Sequence, residues 1–174
     1  EASSEKFRNK YLKEHPDLNP QFIFAFPAYN VRNTEIGGIL GQNQLLRLSE
    51  NISIRTRNLK LFLSGLDDNL FQTDFAIEGS SNYAFNLILI KKDVDFVKRM
   101  MRHFKENGVE FRRGSAGGGN QLRQPYLKKY VHHDEYKKFP ITEHIHFFGF
   151  YLGNYPSMSE SEVEELILLI NSIK

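Results

Sequence analysis

The chain has 174 residues, of which 40% are hydrophobic, 25% charged and 13% aromatic. This composition is that of a globular protein with its own core and excludes a disordered tail. Cysteine is absent, which excludes disulfides, iron–sulfur clusters, cysteine-ligated zinc and a thiol nucleophile. A net charge of +2 is too small to indicate nucleic acid, and no apolar run approaches the ~20 residues of a membrane span. We therefore expect neither a nucleic-acid nor a membrane partner.

The N-terminal part of the chain predicts two helices around an extended aromatic segment. A short helix is expected from Glu5 to Glu14, because a proline follows soon after and the residue before proline avoids the α region. Residues 22–27 are aromatic and extended, and we expect them to pack against another part of the protein. A long helix is predicted from Thr34 to Leu66, because apolar residues recur there at spacings of three, four or seven.

The rest of the chain predicts a small sheet with two more helices. Strands are expected over residues 71–77, 83–90, 109–113 and 147–152. Asp93 is predicted to be a helix N-cap, and Ser159 is predicted to open the last helix in a capping box with Glu162. This order predicts an α+β fold, with helices on one face of a small, mostly antiparallel sheet. Residues 114–140 form an unusually long loop, and such loops are often functional.

A glycine-rich run at residues 114–119 is the first candidate for ligand binding. It lacks the Gly-Lys-Ser/Thr ending of a P-loop and the helix start of a dinucleotide-binding fingerprint, so a flexible loop is the default interpretation. Arg112, Arg113 and Arg123 flank the run. Guanidinium groups match phosphate and carboxylate geometry, so these arginines indicate either an anionic ligand or a solvated basic face.

Two histidine pairs, His132-His133 and His144-x-His146, raise the question of a metal site. If residues 139–146 are extended, His144 and His146 face the same side. A metal site needs three or four converging ligands, and neither an HExxH motif nor a carboxylate cluster with ligand spacing is present. We therefore expect no metal, and interpret the histidines as surface or hydrogen-bonded groups.

Residues 29–35 join the aromatic segment to the long predicted helix. They are either a capped helix start or an anion site that presents an amide, a guanidinium and helix N–H groups together. The sequence contains no nucleophile-elbow, catalytic-triad or kinase signature. Taken alone, the residues thus predict an α+β domain with two polar loops suited to anions.

The segment Tyr29-Asn-Val-Arg-Asn-Thr-Glu-Ile36, followed by Gly41 and Gln44-Leu-Leu-Arg-Leu48, resembles a known signature. It is similar to a segment of the DegT/DnrJ/EryC1/StrS family of pyridoxal-phosphate (PLP) enzymes, which act on nucleotide-linked keto sugars. Four further segments resemble family motifs, and they are Ser80–Phe85, Gly108-Val-Glu-Phe-Arg112, Gly119-Asn-Gln-Leu-Arg-Gln-Pro125 and Gly149–Pro156. The third of these resembles the GNLxRQP loop of the branch that removes a 3-hydroxyl from nucleotide-linked 4-keto-6-deoxyhexoses.

The resemblance implies the C-terminal small domain of a fold type I PLP-dependent transferase. Residues 1–33 would be a polar lead-in and interdomain segment, and 34–174 a small α+β domain with a long first helix. The PLP-binding large domain and the catalytic residues would lie upstream, and the start without methionine agrees with that. The implied activity is a 3-dehydration of nucleotide-linked 4-keto-6-deoxy sugars in lipopolysaccharide, O-antigen or related deoxysugar biosynthesis. The alternatives are a nucleotide-sugar aminotransferase of the same family and a non-catalytic anion-binding module.

The resemblance also assigns site residues and partners. In a cytoplasmic homodimer, Asn30 would contact the PLP phosphate and Arg32 an anionic group of the nucleotide-sugar substrate. Asn120 and Arg123 would lie near the sugar. The cofactor would be PLP or pyridoxamine phosphate (PMP) in the full-length dimer, with none bound to this chain alone. Gly37 replaces a glutamine of the family signature, which leaves the identity of the sugar open.

Overall fold

The computed structural model describes residues 2–27, 34–113 and 119–173. The helices and strands are, in chain order, α1 Ala2–Glu14, α2 Glu35–Leu45, α3 Leu48–Gly65, β1 Ala84–Ile88, α4 Val94–Glu106, β2 Phe111–Arg113, α5 Pro140–Phe148, β3 Gly149–Gly153 and α6 Glu160–Asn171. Three short 3₁₀ helices lie at Gln121–Arg123, Pro125–Leu127 and Glu135–Lys138. Within these described ranges, no helix has the length and apolarity that crossing a membrane requires.

The three strands form one antiparallel sheet in the order β1-β3-β2, so a mixed fold of helices with a small antiparallel sheet is confirmed. The predicted strand at residues 71–77 is wrong. Only Phe71 makes a bridge, which is antiparallel to Leu89, and residues 72–77 belong to no strand. Burial still alternates along this segment as in a strand, and at its start the Gln72 N–H donates to the Ile88 carbonyl oxygen at 2.8 Å.

The long predicted helix is two helices, since α2 and α3 are separated at Leu46 and Arg47. Its start is confirmed, because the Thr34 hydroxyl accepts a hydrogen bond from the Gly37 N–H at 3.2 Å. The predicted apolar stripe is buried only in its second half. The predicted members that are buried are Leu59, Phe62 and Leu66, and Leu63 beside them is buried too. By contrast, α2 has no buried residue.

The segment predicted as a long loop and an extended run contains a helix. The three 3₁₀ helices lie between residues 121 and 138, and Pro140 begins α5. Proline suits the first helical position because its missing N–H would have no partner there. Since side chains two apart on an α-helix point about 200° apart, His144 and His146 do not share a face, contrary to the extended arrangement. Residues 114–118 of the glycine run lie outside the described ranges.

The predicted caps of α4 and α6 are confirmed. The Asp93 carboxylate accepts a hydrogen bond from the Phe96 N–H at 2.8 Å. Ser159 and Glu162 form the capping box in both directions, with the Ser159 N–H donating to Glu162 Oε2 at 2.7 Å. Each cap satisfies N–H groups that the first helical turn leaves without an intrahelical acceptor.

Contacts divide the chain into two compact units. The first unit comprises residues 1–29 and 112–150, and the second comprises 30–111 and 151–174. In the second unit, the rings of Phe62 and Phe85 stack with centroids 4.3 Å apart. There, a Cβ on Gly65 would lie 2.9 Å from Ile167 Cδ1, so the glycine lets α3 lie close to α6. The domain division at residues 33 and 34 stays a prediction.

Candidate functional site

The structure places two of the four predicted site residues, and both lie in the first unit. Asn120 and Arg123 belong to residues 119–127, which we call the Asn120 loop. Asn30 and Arg32 lie outside the described residues, so their contacts with cofactor and substrate stay predictions. The candidate site is therefore built here from the Asn120 loop and the groups that hold it.

Asn120 is fixed by its side chain and by its backbone, and only 2% of it is exposed. Its Oδ1 accepts a hydrogen bond from the Leu122 N–H at 3.1 Å and so caps the first 3₁₀ turn. Its Nδ2 donates to Glu143 Oε2 at 3.0 Å. Its backbone N–H donates to His146 Nδ1 at 3.0 Å. Two residues of α5 thus hold the start of the loop.

Arg123 lies between two carboxylates. Its Nη1 donates to Asp17 Oδ2 at 2.8 Å, and its Nε donates to Glu143 Oε1 at 2.7 Å, with a further bond from Nη2 to the same oxygen. The guanidinium also lies 4.1 Å from the centre of the Tyr136 ring and 5.1 Å from that of Phe147. Its side chain is 16% exposed.

The two carboxylates determine what Arg123 can do chemically. Burial disfavours its charged form, but the hydrogen bonds to Glu143 and Asp17 outweigh burial and raise the pKa of Arg123. One cation between two carboxylates leaves this cluster with a net negative charge, which repels an incoming anion. The described contacts therefore make Arg123 a residue that positions the loop, and its role at a substrate stays a prediction.

His146 is a buried residue of α5 that makes hydrogen bonds to Asn120 and to Asp17. Because Nδ1 accepts the Asn120 N–H, the proton of the neutral ring is on Nε2, which donates to the Asp17 carbonyl oxygen at 3.0 Å. Burial lowers the pKa of His146, and nearby Arg123 lowers it further, although the bond to Asp17 opposes this shift. A proton on Nδ1 would remove the acceptor that holds Asn120.

This geometry predicts that acid weakens the first unit. The fold keeps His146 neutral, whereas the unfolded chain protonates it near its ordinary pKa of 6.5. The contribution to stability is thus complete above that pH and is lost as pH falls through the lower folded pKa. In urea unfolding between pH 5 and pH 8, we expect His146→Asn to show a smaller gain of stability with pH than the wild type.

His15 is the control for this experiment. Burial and nearby Lys128 lower its pKa too, so it adds stability with the same dependence on pH. The experiment therefore compares His15→Asn with the double variant that carries both His15→Asn and His146→Asn. An unchanged pH dependence in the His146 variant on that background would contradict the assignment.

Gln124 fixes the aromatic segment that precedes the undescribed residues 28–33. It is fully buried, its Oε1 accepts from the Phe24 N–H at 2.9 Å, and its Nε2 donates to the Phe22 carbonyl oxygen at 2.8 Å. The Tyr126 N–H donates to the Phe24 carbonyl oxygen at 2.9 Å, and the two rings meet edge to face. The first part of the aromatic segment thus packs within the first unit, whereas Phe26 is 65% exposed, so the packing of the whole of residues 22–27 stays a prediction.

Sequence reasoning missed Asp17 and Glu143, which hold the Asn120 loop, and it missed the roles of Gln124 at the aromatic segment and of His146 at Asn120. Glu143 and His146 are three positions apart, which places them on one face of a helix. That spacing would have been informative if residues 140–148 had been recognised as helical. Asp17 has no local signal, since its partner Arg123 is 106 positions away in the sequence.

One group among the described residues has the composition of a metal site. Ligand atoms of His132, His133 and Asp134 lie within 4.8 Å of one another, and both histidines are exposed. However, Asp134 already pairs with Lys137 at 2.7 Å and with His133 at 3.1 Å. The hydrogen bond from Lys137 lowers the pKa of Asp134. A metal ion would meet the Lys137 cation here, so we assign this group no ligand.

Comparison with known proteins places the motifs in a family. The DegT/DnrJ/EryC1/StrS aminotransferase family matches residues 2–171. The chain belongs to this family. Among curated members, it is 27% identical over 156 residues to GDP-4-keto-6-deoxy-D-mannose 3-dehydratase of Escherichia coli O55:H7, covering 89% of this chain and 40% of that enzyme. The Yersinia pseudotuberculosis enzyme of the same name is 25% identical, covering 86% and 38%.

The fold is also similar to those of solved structures. The E. coli GDP-4-keto-6-deoxy-D-mannose-3-dehydratase with bound hydrated PLP has a TM-score of 0.68 and 26% identity, covering 90% of this chain and 39% of that one. 3-Amino-5-hydroxybenzoic acid synthase has a TM-score of 0.68 at 17% identity, covering 98% and 47%, which supports the fold alone. The chain thus spans about two fifths of the length of the curated relatives it matches.

Proposed function

We propose that this chain forms the C-terminal part of a PLP- or PMP-dependent 3-dehydratase that acts on nucleotide-linked 4-keto-6-deoxy sugars. The observation that carries the proposal is the family match over residues 2–171, together with the similarity to two enzymes named GDP-4-keto-6-deoxy-D-mannose 3-dehydratase. The proposed setting is a cytoplasmic homodimer that makes deoxysugars for lipopolysaccharide or a related glycan.

The exposed helix α2 supports the view that a larger partner surface completes this chain. Ile36, Ile39 and Leu40 share one face at helical spacing, and each is more than half exposed. An 11-residue helix with three glycines is marginal by itself, and helices in proteins are stabilised mainly by packing an apolar face. Since the chain spans about two fifths of its curated relatives, we propose that their cofactor-binding portion has the counterpart that covers this face.

The proposed division of labour leaves the bond-making chemistry to the cofactor and orientation to this chain. PLP, when bound, supplies the electron sink for elimination or amino transfer. Asn30 is proposed to bind its phosphate, and Arg32 an anionic group of the substrate. The Asn120 loop is proposed to shape the sugar pocket, with Glu143 and His146 holding it in place.

A chimera tests this proposal. This chain replaces the matching C-terminal portion of the E. coli 3-dehydratase, and mass spectrometry follows the product formed from GDP-4-keto-6-deoxy-D-mannose with PLP and glutamate. We expect the chimera to retain PLP and to form the product that has lost the 3-hydroxyl. Arg32→Ala in the chimera is expected to lower the rate about a hundredfold or more, because a charged substrate contact is lost.

Helix α2 supplies a matched pair of variants for the same chimera. Ile39→Glu is expected to abolish PLP retention, because it places a charge in the proposed interface. Leu45→Glu, which places the same charge on an exposed leucine on the opposite side of α2 from Ile36 and Leu40, is the control with unchanged loading. A chimera that folds and retains PLP but leaves the sugar unchanged contradicts the proposed function. An amino-sugar product would also contradict it, and would show that the enzyme is an aminotransferase.

A further inference from the structure

Arg113 is a partly buried cation that has no carboxylate partner among the described residues. Its Nη2 donates to the Phe147 carbonyl oxygen at 2.6 Å, and its guanidinium carbon lies 5.7 Å from the centre of the Phe150 ring. Its Nε is buried and has no hydrogen-bond partner in the described part of the chain. Burial alone lowers the pKa of Arg113, without a compensating charge.

No acidic side chain in the described part of the chain forms an ion pair with Arg113. Within the described ranges, no Asp or Glu oxygen lies within 4.0 Å of the Arg113 guanidinium. Residues 1, 28–33, 114–118 and 174, which lie outside those ranges, contain a single acidic side chain, that of Glu1. Arg123 in the same unit differs from Arg113, because it is paired with two carboxylates, those of Asp17 and Glu143.

A missing partner is informative here because the group is buried. An exposed arginine is hydrated and needs no counter-ion, as for Arg112 on the other side of the same strand. A desolvated guanidinium loses that hydration, and one carbonyl oxygen and an aromatic ring compensate only part of the loss. Ionisable groups with such environments are concentrated at binding sites.

We propose that the Arg113 guanidinium binds an oxyanion, a phosphoryl or carboxylate group, of a small-molecule ligand. A guanidinium edge matches both groups, and the bound oxyanion would supply the charge that the chain lacks. This proposal goes beyond the proposed function, because the family resemblance assigns binding roles to Asn30, Arg32, Asn120 and Arg123 but none to Arg113. It holds or fails independently of which sugar the enzyme uses.

The test is an NMR titration of the isotope-labelled 174-residue chain with inorganic phosphate and, separately, with acetate. The Arg113 Nε–Hε resonance is expected to shift to saturation with at least one of them, and the two titrations distinguish phosphoryl from carboxylate selectivity. Arg113→Met is expected to weaken binding about tenfold, and Arg113→Lys to weaken it less, since a charged hydrogen bond is lost in the first case. Arg112→Met, the exposed control, should change affinity by less than about twofold.

Thermal unfolding of the same variants separates a binding role from a structural one. Arg113→Met should have a midpoint at or above that of the wild type without ligand, because a buried cation without a partner is replaced by an apolar group of similar length. Phosphate or acetate should raise the midpoint of the wild type but not of Arg113→Met. No saturable shift with either anion, an equal loss of affinity in Arg112→Met, or a lower midpoint of Arg113→Met without ligand would overturn the proposal.

Discussion

Replacing Glu143 by alanine is expected to destabilise the first unit by about 3 kcal/mol, because it breaks a mostly buried ion pair and leaves Arg123 with Asp17 alone. The same change removes the acceptor of the Asn120 side chain. The Asn120 loop should then lose two attachments to α5, the one through the Asn120 side chain and the one through Arg123. Urea unfolding followed by circular dichroism measures the loss, and hydrogen exchange of the loop amides should accelerate.

A second salt bridge in the same unit is the control. Glu135 pairs with Lys138 at 2.9 Å, but 70% of the Lys138 side chain is exposed. Glu135→Gln should therefore change stability by no more than about 0.5 kcal/mol. Equal effects of the Glu143 and Glu135 variants would show that the buried cluster does not hold the loop. The double variant Arg123→Met with Glu143→Leu should lose less unfolding free energy than Glu143→Ala, because it removes both charges of the buried pair.

Gly119→Ala is expected to have an effect of similar size through backbone geometry. Gly119 has a φ of +84°, and a Cβ at this position would overlap Nδ1 of His146. Alanine disfavours the left-handed region by about 1–2 kcal/mol, and the overlap breaks the hydrogen bond from the Asn120 N–H to His146. We expect a total loss of about 3 kcal/mol, with faster hydrogen exchange at the Asn120 amide.

Gly79 separates the two causes, because it has a φ of +73° and no atom lies within 4 Å of the position that a Cβ would occupy. Gly79→Ala should therefore lose only the conformational part, about 1 kcal/mol. The difference between the two alanine variants measures the steric contact with His146. If both variants lose the same stability, the close packing of Gly119 against His146 is contradicted.

The features that were predictable from sequence are those decided by local chemistry. Thr34, Asp93 and Ser159 cap their helices as expected, because a cap needs only a side-chain oxygen and N–H groups two or three positions away. The motif segments were also readable, since each is a short run whose order along the chain is preserved. The family match over residues 2–171 confirms the resemblance that they indicated.

The features that were missed depend on contacts far apart in the sequence. Residues 141–148 are rich in β-branched and aromatic types, which favours a strand, yet packing and the Pro140 start make them helical. The break between α2 and α3 has neither proline nor glycine at Leu46 and Arg47 to mark it. The cluster of Asp17, Arg123 and Glu143 combines residues from three separate segments, which no local pattern encodes.

The most direct test of the central claim is PLP retention, measured by cofactor absorbance after gel filtration. The proposal is that this chain forms one part of a PLP-dependent enzyme and that the cofactor is held jointly with a portion matching the three fifths of the curated relatives that this sequence does not span. We expect the chimera with the E. coli enzyme to retain PLP in stoichiometric amount and the 174-residue chain alone to retain none. Stoichiometric PLP on the isolated chain would contradict the account.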